Sequence, residues 1–349
     1  MIKIAKVKNK AMIIDFRSDT FTKPTAAMLN AMFTAEVGDD VFCEDPTVNK
    51  LEEMAATKFG MEAALYCPSG TMSNQIGIKC HTQPGNEVIC EKLSHVYIYE
   101  GGGIAFNSGC QVHAIDGIRG HITADQIKDA INPDDVHKPK SSLVSLENTG
   151  NRGGGSCYEM SEILKIRALC VENNIKLHLD GARLWNALVA KNESPLQYGK
   201  IFDSISICLS KGLGAPIGSL LLGKKDFINQ ARRIRKVFGG GMRQAGYIAA
   251  AGIYALENNI ERLAEDHKHA KLLAEEFSKK DFIGNIMPVE TNIIILEVKG
   301  RFSATTLQAK LKENNILCLL ISETKIRLIT HLDISPDMID KTIEVIRKL

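Results

Sequence analysis

The chain has 349 residues, is 44% hydrophobic and 24% charged, and carries a formal net charge of +2. That length suits one large domain with a smaller one beside it. The near-neutral balance gives no electrostatic reason to expect a nucleic-acid partner, and no apolar run reaches bilayer length, so no membrane span is expected.

The first segment, "MIKIAKVKNKAM", is basic but lacks the apolar stretch of a signal peptide. Residues 1–14 are expected to be an N-terminal extension, and Met12 could serve as the natural start. The nine cysteines are odd in number and scattered, with no CxxC pair. This predicts reduced thiols in a cytoplasmic protein, without a disulfide frame or a metal site.

"DPTVNKLEEMAATKFG" predicts a helix with Asp45 as N-cap, Pro46 in its first turn and Gly60 as its stop. "AALYCPSGTMSNQ" runs a short apolar strand into a small-residue turn and a new helix. "NEVICEK" and "SSLVSLEN" read as further strands. "EMSEILKIRALCVENN" reads as a helix, and "IKLHLDGAR" as a buried strand ending in Asp180. "FDSISICLSK" repeats that pattern and ends at Lys211, and "IGSLLLG" is another strand. Apolar strands alternating with helices predict an α/β domain with a mostly parallel sheet covered on both faces.

The character changes near residue 250. "AAAGIYALENNIERLAEDHKHAKLLAEEFSKK" is one continuous helical pattern. A strand "TNIIILEV", a helix through "TTLQAKLKENN", a strand "KIRLITH" and a final helix "SPDMIDKTIEVIRKL" follow. The expected organisation is a large domain over residues 15–250 and a small α+β domain over 251–349.

Ligands of open α/β sheets sit beyond the carboxyl ends of the strands. The polar residues there are Ser69, Gly70 and Thr71; Glu147 and Asn148; Asp180 with Arg183; and Ser210 with Lys211. Each alone has a bland explanation. An aspartate can simply open a turn, a strand-end lysine can be a solvated loop residue, and "PSGTMSNQ" can be an ordinary helix cap. The same free N–H groups, with the helix dipole, also suit a phosphate. "GGGIAF" and "GLGAPIG" both miss the GxGxxG spacing, which argues against a dinucleotide. No GKS or GKT phosphate loop is present.

A phosphate anchor, a buried carboxylate and a strand-end lysine together suggest pyridoxal phosphate. The lysine amine forms a Schiff base with the aldehyde, and the carboxylate keeps the pyridine nitrogen protonated so that the ring withdraws electrons. This would explain why Lys211 follows directly on a buried strand, where an unpaired ammonium is costly.

The stretches "DFRSDTFTKPT", "EVGDDVFCEDPTVNKLEE", "SGTMSNQ", "HVYIYEGGG", "DDVH", "SLENTGNRGGG", "LHLDGARLWNA", "SICLSKGLGAPIGS", "RKVFGGGMRQAG" and "KIRLITHLD" run in one order from Asp15 to Asp333. In them the chain resembles the L-threonine aldolases of low specificity, in the aromatic amino-acid β-eliminating lyase group, with the aspartate-aminotransferase-like fold (fold type I). The resemblance implies that Lys211 bonds the cofactor aldehyde and Asp180 pairs with the pyridine nitrogen. It implies that His95 stacks on the ring and can accept a proton, and that Ser69, Gly70 and Thr71 hold the phosphate. Ser18, Arg183 and Arg327 would take the substrate carboxylate, with Arg183 also near the cofactor. Tyr99 and Glu100 would line the same pocket. His137 would lie near the substrate side chain, and the base for the β-hydroxyl proton would be His95, His137 or an ordered water. Lys236 and Arg243 would reach a site from a neighbouring subunit, on the substrate and cofactor respectively.

The implied activity is cleavage of L-threonine or L-allo-threonine, and related β-hydroxy-α-amino acids, to glycine and an aldehyde. The implied assembly is a homodimer or homotetramer with shared sites. Two positions depart from the family's pattern. Phe42-Cys43 stands where Tyr-Gly is usual, and Gly150 where a histidine is usual. These departures bear on substrate scope. They leave β-elimination or racemisation of another small amino acid as an alternative reaction, and a pyridoxal-phosphate carrier with little turnover as a reading of another class.

Overall fold

A computed structural model describes residues 12–349; residues 1–11 of the expected extension lie outside the described residues. A short strand β1 (Ile14–Asp15) opens the fold. Seven strands then build the large sheet: β2 (Ala63–Cys67), β3 (Glu87–Glu91), β4 (Gln111–Ile115), β5 (Ser141–Glu147), β6 (Lys176–Gly181), β7 (Ser204–Cys208) and β8 (Ser219–Gly223). Their order is β2-β8-β7-β6-β5-β3-β4, and only β8 runs against its two neighbours.

Side-chain alternation along these strands decides what each face carries. Val144 and Leu146, Leu177 and Leu179, Ile205 and Ile207, and Leu220 and Leu222 all enter the main apolar core. Helices Pro46–Phe59, Met160–Glu172 and Gly246–Asn258 cover that face. The intervening residues Ser145, Glu147, His178, Asp180, Ser204, Ser206 and Cys208 therefore point to the other face, and all are buried. A parallel sheet buried on both faces rarely carries so many polar groups on one of them.

Helix Gly70–His81 lies on that polar face. Its N-cap Ser69 accepts a hydrogen bond from the Met72 N–H. Helix Pro46–Phe59 starts and stops as its sequence predicts: Asp45 accepts from the N–H groups of Thr47 and Val48, and Gly60 ends it at a φ of 63°.

The predicted single helix over 249–280 is instead two, Gly246–Asn258 and Leu263–Ser278. The break falls at Asn258-Asn259, weak helix formers. Asn259 donates its side-chain amide to the Leu213 carbonyl at 2.7 Å, two residues past Lys211. The first helix packs in the main core, while Leu273 and Phe277 of the second join a separate core.

That second core belongs to an antiparallel sheet of β9 (Ile283–Ile286), β10 (Ile293–Val298), β12 (Leu319–Leu320) and β13 (Lys325–Ile329), ordered β12-β13-β10-β9. A two-residue strand β11 (Ile316–Leu317) pairs in parallel with β1. Ile14 and Phe16 thus pack with the small unit. The chain then crosses toward the carboxyl ends of the large sheet, which places Asp19 beside Arg183.

Candidate active site

Ser69, Gly70, Thr71, His95, Asp180 and Lys211 line one cleft of about 240 Å³ at the carboxyl ends of β2, β6 and β7. Ser210 lines it too, so seven of the residues singled out in sequence, drawn from four separate segments, are brought together. Gly70 has no room for a side chain, since a Cβ there would sit 2.7 Å from Cys208 Sγ. The backbone at the helix N-terminus is therefore left bare toward the cleft, as close approach of an anion requires.

Asp180 is 1% exposed. Its Oδ1 accepts from the Ala182 N–H at 3.1 Å, and its Oδ2 is buried with no partner among the described residues. A buried carboxylate oxygen without a donor is costly unless a ligand supplies one. His95 stands close by, because His95, Glu100 and Asp180 each bring one nitrogen or oxygen within 4.8 Å of the others.

The His95 ring is held from behind. Its Nδ1 lies 2.9 Å from Glu100 Oε1, and its backbone N–H donates to Glu147 Oε2 at 2.7 Å. Burial opposes a charge on His95, but the Glu100 hydrogen bond and the Asp180 carboxylate outweigh it and raise the His95 pKa. Burial and the Asp180 charge push Glu147 up to about 7. Tyr99 is half-exposed at the cleft edge, its ring centroid 5.7 Å from that of His95.

A second group of residues adjoins the cleft. Arg183 Nε and Nη2 each donate to Asp19 at 2.7 Å. Arg327 Nη1 donates to Asn151 Oδ1 at 2.9 Å, and Arg183 Nη1 reaches the same oxygen at 3.4 Å. Asn151 therefore couples the two guanidinium groups. Burial opposes the Arg183 charge, but Asp19 outweighs it and raises the Arg183 pKa. For Arg327, burial and the Arg183 charge pull it down to about 10. Two guanidinium groups facing one carboxylate leave room for a second, incoming anion. Ser18 caps the turn Asp19–Phe21, its hydroxyl accepting from the Thr20 N–H.

Three sequence candidates lie elsewhere in this chain. His137 precedes β5 by four residues, at the end of the sheet opposite Asp180, with its side chain 87% exposed and paired with Asp135. Arg243 donates to Asp39 at 2.8 Å on an exposed loop. Lys236 lines a separate basic groove with Arg232, Arg233 and Arg235. None of the three reaches the cleft that holds Lys211. In the other direction, Asp19, Asn74 and Asn151 belong to the site but were not singled out. A buried arginine such as Arg183 demands a carboxylate, and Asp19, within "RSDT", was the signal.

The fold and the cleft define the class first: an α/β enzyme whose bare helix N-terminus, orphaned carboxylate oxygen and strand-end lysine fit a phosphorylated cofactor with a protonated ring nitrogen. The profile of the beta-eliminating lyases matches residues 15–301. The chain is 42% identical over 328 residues to the low specificity L-threonine aldolase of Escherichia coli K12, covering 94% of this chain and 96% of that one. It is 40% identical over 337 residues to low-specificity L-threonine aldolase 1 of Arabidopsis thaliana, covering 95% and 94%. The solved threonine aldolase of Leishmania major superposes with a TM-score of 0.84 over 96% of this chain and 99% of that one, at 22% identity, and so shares the fold. The chain belongs to the beta-eliminating lyase family and is a lyase of the α/β fold seen in threonine aldolases.

Proposed function

We propose that the protein is a pyridoxal-phosphate-dependent aldolase that cleaves L-threonine, L-allo-threonine and related β-hydroxy-α-amino acids to glycine and an aldehyde. The observation that carries this reading is that Lys211 lines one cleft with Asp180, whose Oδ2 has no partner among the described residues. The names of the relatives support the substrate class.

When bound, pyridoxal phosphate supplies an aldehyde for the Lys211 amine and a ring that withdraws electrons from the substrate Cα. Asp180 would hold the ring nitrogen protonated, and Gly70 and Thr71 would present N–H groups and a hydroxyl to the phosphate. Arg183 and Arg327 fix the substrate carboxylate. Fixing the carboxylate and the amine together orients the Cα–Cβ bond for cleavage. His95 Nε2 is the ring nitrogen left to take the β-hydroxyl proton, because Nδ1 faces Glu100. The exposed position of His137, across the sheet, favours His95 for this step within one chain.

Arg243, Lys236 and His137 serve a site only if it belongs to a second copy, which favours a homodimer or a larger homo-oligomer. The exposed Phe42 and Val237, next to the basic groove, fit burial between copies. All nine cysteines are free thiols, and among the described residues no helix is long and apolar enough to cross a membrane. The free thiols fit a cytoplasmic enzyme.

The test is direct. The purified protein is expected to show a visible absorption band and to release acetaldehyde from L-threonine, and Lys211→Ala is expected to lose both. A band with no aldehyde from L-threonine or L-allo-threonine would reject the aldolase reading. Sedimentation of the same preparation reads the assembly.

A further inference from the structure

Behind the cleft a line of hydrogen bonds crosses the buried polar face of the sheet. His81 Nε2 lies 2.8 Å from Ser204 Oγ. Ser204 Oγ lies 2.7 Å from His178 Nδ1, and His178 Nε2 lies 3.2 Å from Asn74 Oδ1. Asn74 Nδ2 donates to Glu100 Oε1 at 3.0 Å, and the same oxygen faces His95 Nδ1 at 2.9 Å. We propose that His178 is a positioning residue for His95: it fixes the orientation of the Asn74 amide, which keeps Glu100 a pure acceptor for the His95 ring. The proposal rests on the reading of His95 as the ring that faces cofactor and substrate.

The sense of the line follows from donor and acceptor chemistry. Glu100 is buried and takes three donors, from Asn74, from Gln75 at 2.7 Å and from His95. Three donors suit an ionised carboxylate. For Asn74 to donate there, its carbonyl must face His178, so His178 Nε2 carries the proton. His178 is fully buried, and burial, with His81 beside it, pushes its pKa down to about 3. It is therefore neutral, with a lone pair on Nδ1 that accepts from the Ser204 hydroxyl. The Ser204 oxygen in turn accepts from His81.

Reversing any link sets two donors or two acceptors face to face in a buried site, which is costly. The amide of Asn74 cannot pass a proton, so the line orients and does not conduct. Gly77 makes the space, since a Cβ there would sit 2.9 Å from His178 Cε1.

Removing the His178 donor leaves the Asn74 amide unanchored, so Glu100 loses one of the donors that hold its Oε1 against His95 Nδ1. Glu100 then holds His95 less well as a cation, and the His95 titration falls. The charged or titratable neighbours of His95 are Glu100, Asp180, Lys211 and Tyr99, with Glu147 on its backbone N–H. Those of His178 are His81 and Asp180.

The experiment follows the His95 ring by 15N-histidine NMR against pH, in the cofactor-loaded protein, with His95→Gln for assignment. His178→Leu is expected to lower the His95 midpoint by about one pH unit, with kcat reduced about tenfold and the acid limb moved the same way. His178→Gln keeps a donor near the Nε2 position and is expected to restore the midpoint. If His178→Leu does not fold, Ser204→Ala, which unlocks the His178 tautomer, is expected to lower the midpoint in the same direction. An unmoved midpoint in the folded variants, or equal shifts in His178→Leu and His178→Gln, overturns the proposal. A shifted midpoint in a protein that releases no aldehyde even as wild type would reject the aldolase reading and leave the positioning role standing.

Discussion

Arg183 and Asp19 form a two-point ion pair, 2.7 Å at each contact, with both side chains buried. The pair joins the segment after β1 to the turn after β6, across 164 residues of sequence. Asp19→Asn leaves the guanidinium buried beside a neutral amide and is expected to cost about 3–5 kcal/mol, read by urea unfolding. Burial opposes ionisation of Asp19, but Arg183 overcomes it and holds the carboxyl well below its ordinary value of 3.8. The folded state thus binds this proton less readily than the unfolded chain. The stabilisation is fully present above the ordinary value and is lost only as pH falls through the depressed one. The wild-type advantage over Asp19→Asn should therefore be flat from pH 8 to pH 5.

Gly70 and Cys208 make a second close pair, with 2.7 Å between an added Cβ and the sulfur. Gly70→Ala is expected to weaken cofactor binding by about 1–3 kcal/mol through overpacking at the cleft floor. Gly70→Ala with Cys208→Ala removes the obstacle and should recover most of that loss. Equilibrium dialysis of the four proteins measures the coupling, and independent effects of the two changes would contradict the packing account.

Lys211 and Asp180 could be picked out as candidates in the sequence because each lies by the end of a short apolar strand, Asp180 in the last two residues of β6 and Lys211 three residues past β7, which stops at Cys208 rather than running to the lysine. The capped helix Pro46–Phe59 was legible because its start and stop signals are local. Asn151 was not, because its role is to touch Arg183 and Arg327 at once, and no local pattern reports that. His178 reads in "LHLD" as one more residue of a buried strand, and only the packing of helix Gly70–His81 gives it partners. The break at Asn259 was hidden inside an unbroken helical period, since its cause is a carbonyl 46 residues away. The resemblance sent Lys236 and Arg243 to a neighbouring subunit's site, which one chain cannot display, and did not say which copy His137 serves.

Glu147 carries a pH signature of opposite sign. Burial and the Asp180 charge push it from an ordinary 4.5 up to about 7. Between those values the folded protein binds a proton that the unfolded chain has released, so this group's contribution to stability falls as pH rises. Glu147→Gln removes that titration, at the cost of one of the two acceptors offered to the N–H groups of His95 and Asn151. The stability difference between variant and wild type should shift in favour of the variant by on the order of 2 kcal/mol between pH 5 and pH 8. Urea unfolding of the cofactor-free protein at the two pH values reads it, and a difference independent of pH would contradict the assignment.

Gly150 stands where the family's pattern has a histidine, and the loop around it leaves no room for a side chain. The Gly150 N–H donates to the Ser156 carbonyl at 2.9 Å. An added Cβ would meet Ser156 Oγ at 2.8 Å and the Arg119 carbonyl oxygen at 2.9 Å. The Arg119 carbonyl already accepts from the Ser156 hydroxyl at 2.7 Å, so neither atom can withdraw without losing that bond. Gly150→His therefore forces the backbone of Arg119 or the Ser156 turn to move, and is expected to lower stability by about 1–3 kcal/mol. It is not expected to raise aldehyde release, because the same shift would disturb Asn151, which holds Arg327 at 2.9 Å. Unfolding midpoints and the KM for L-threonine, measured together, check both expectations. A variant that is as stable as wild type and faster would show that the loop opens freely and that the histidine's absence alone limits the rate.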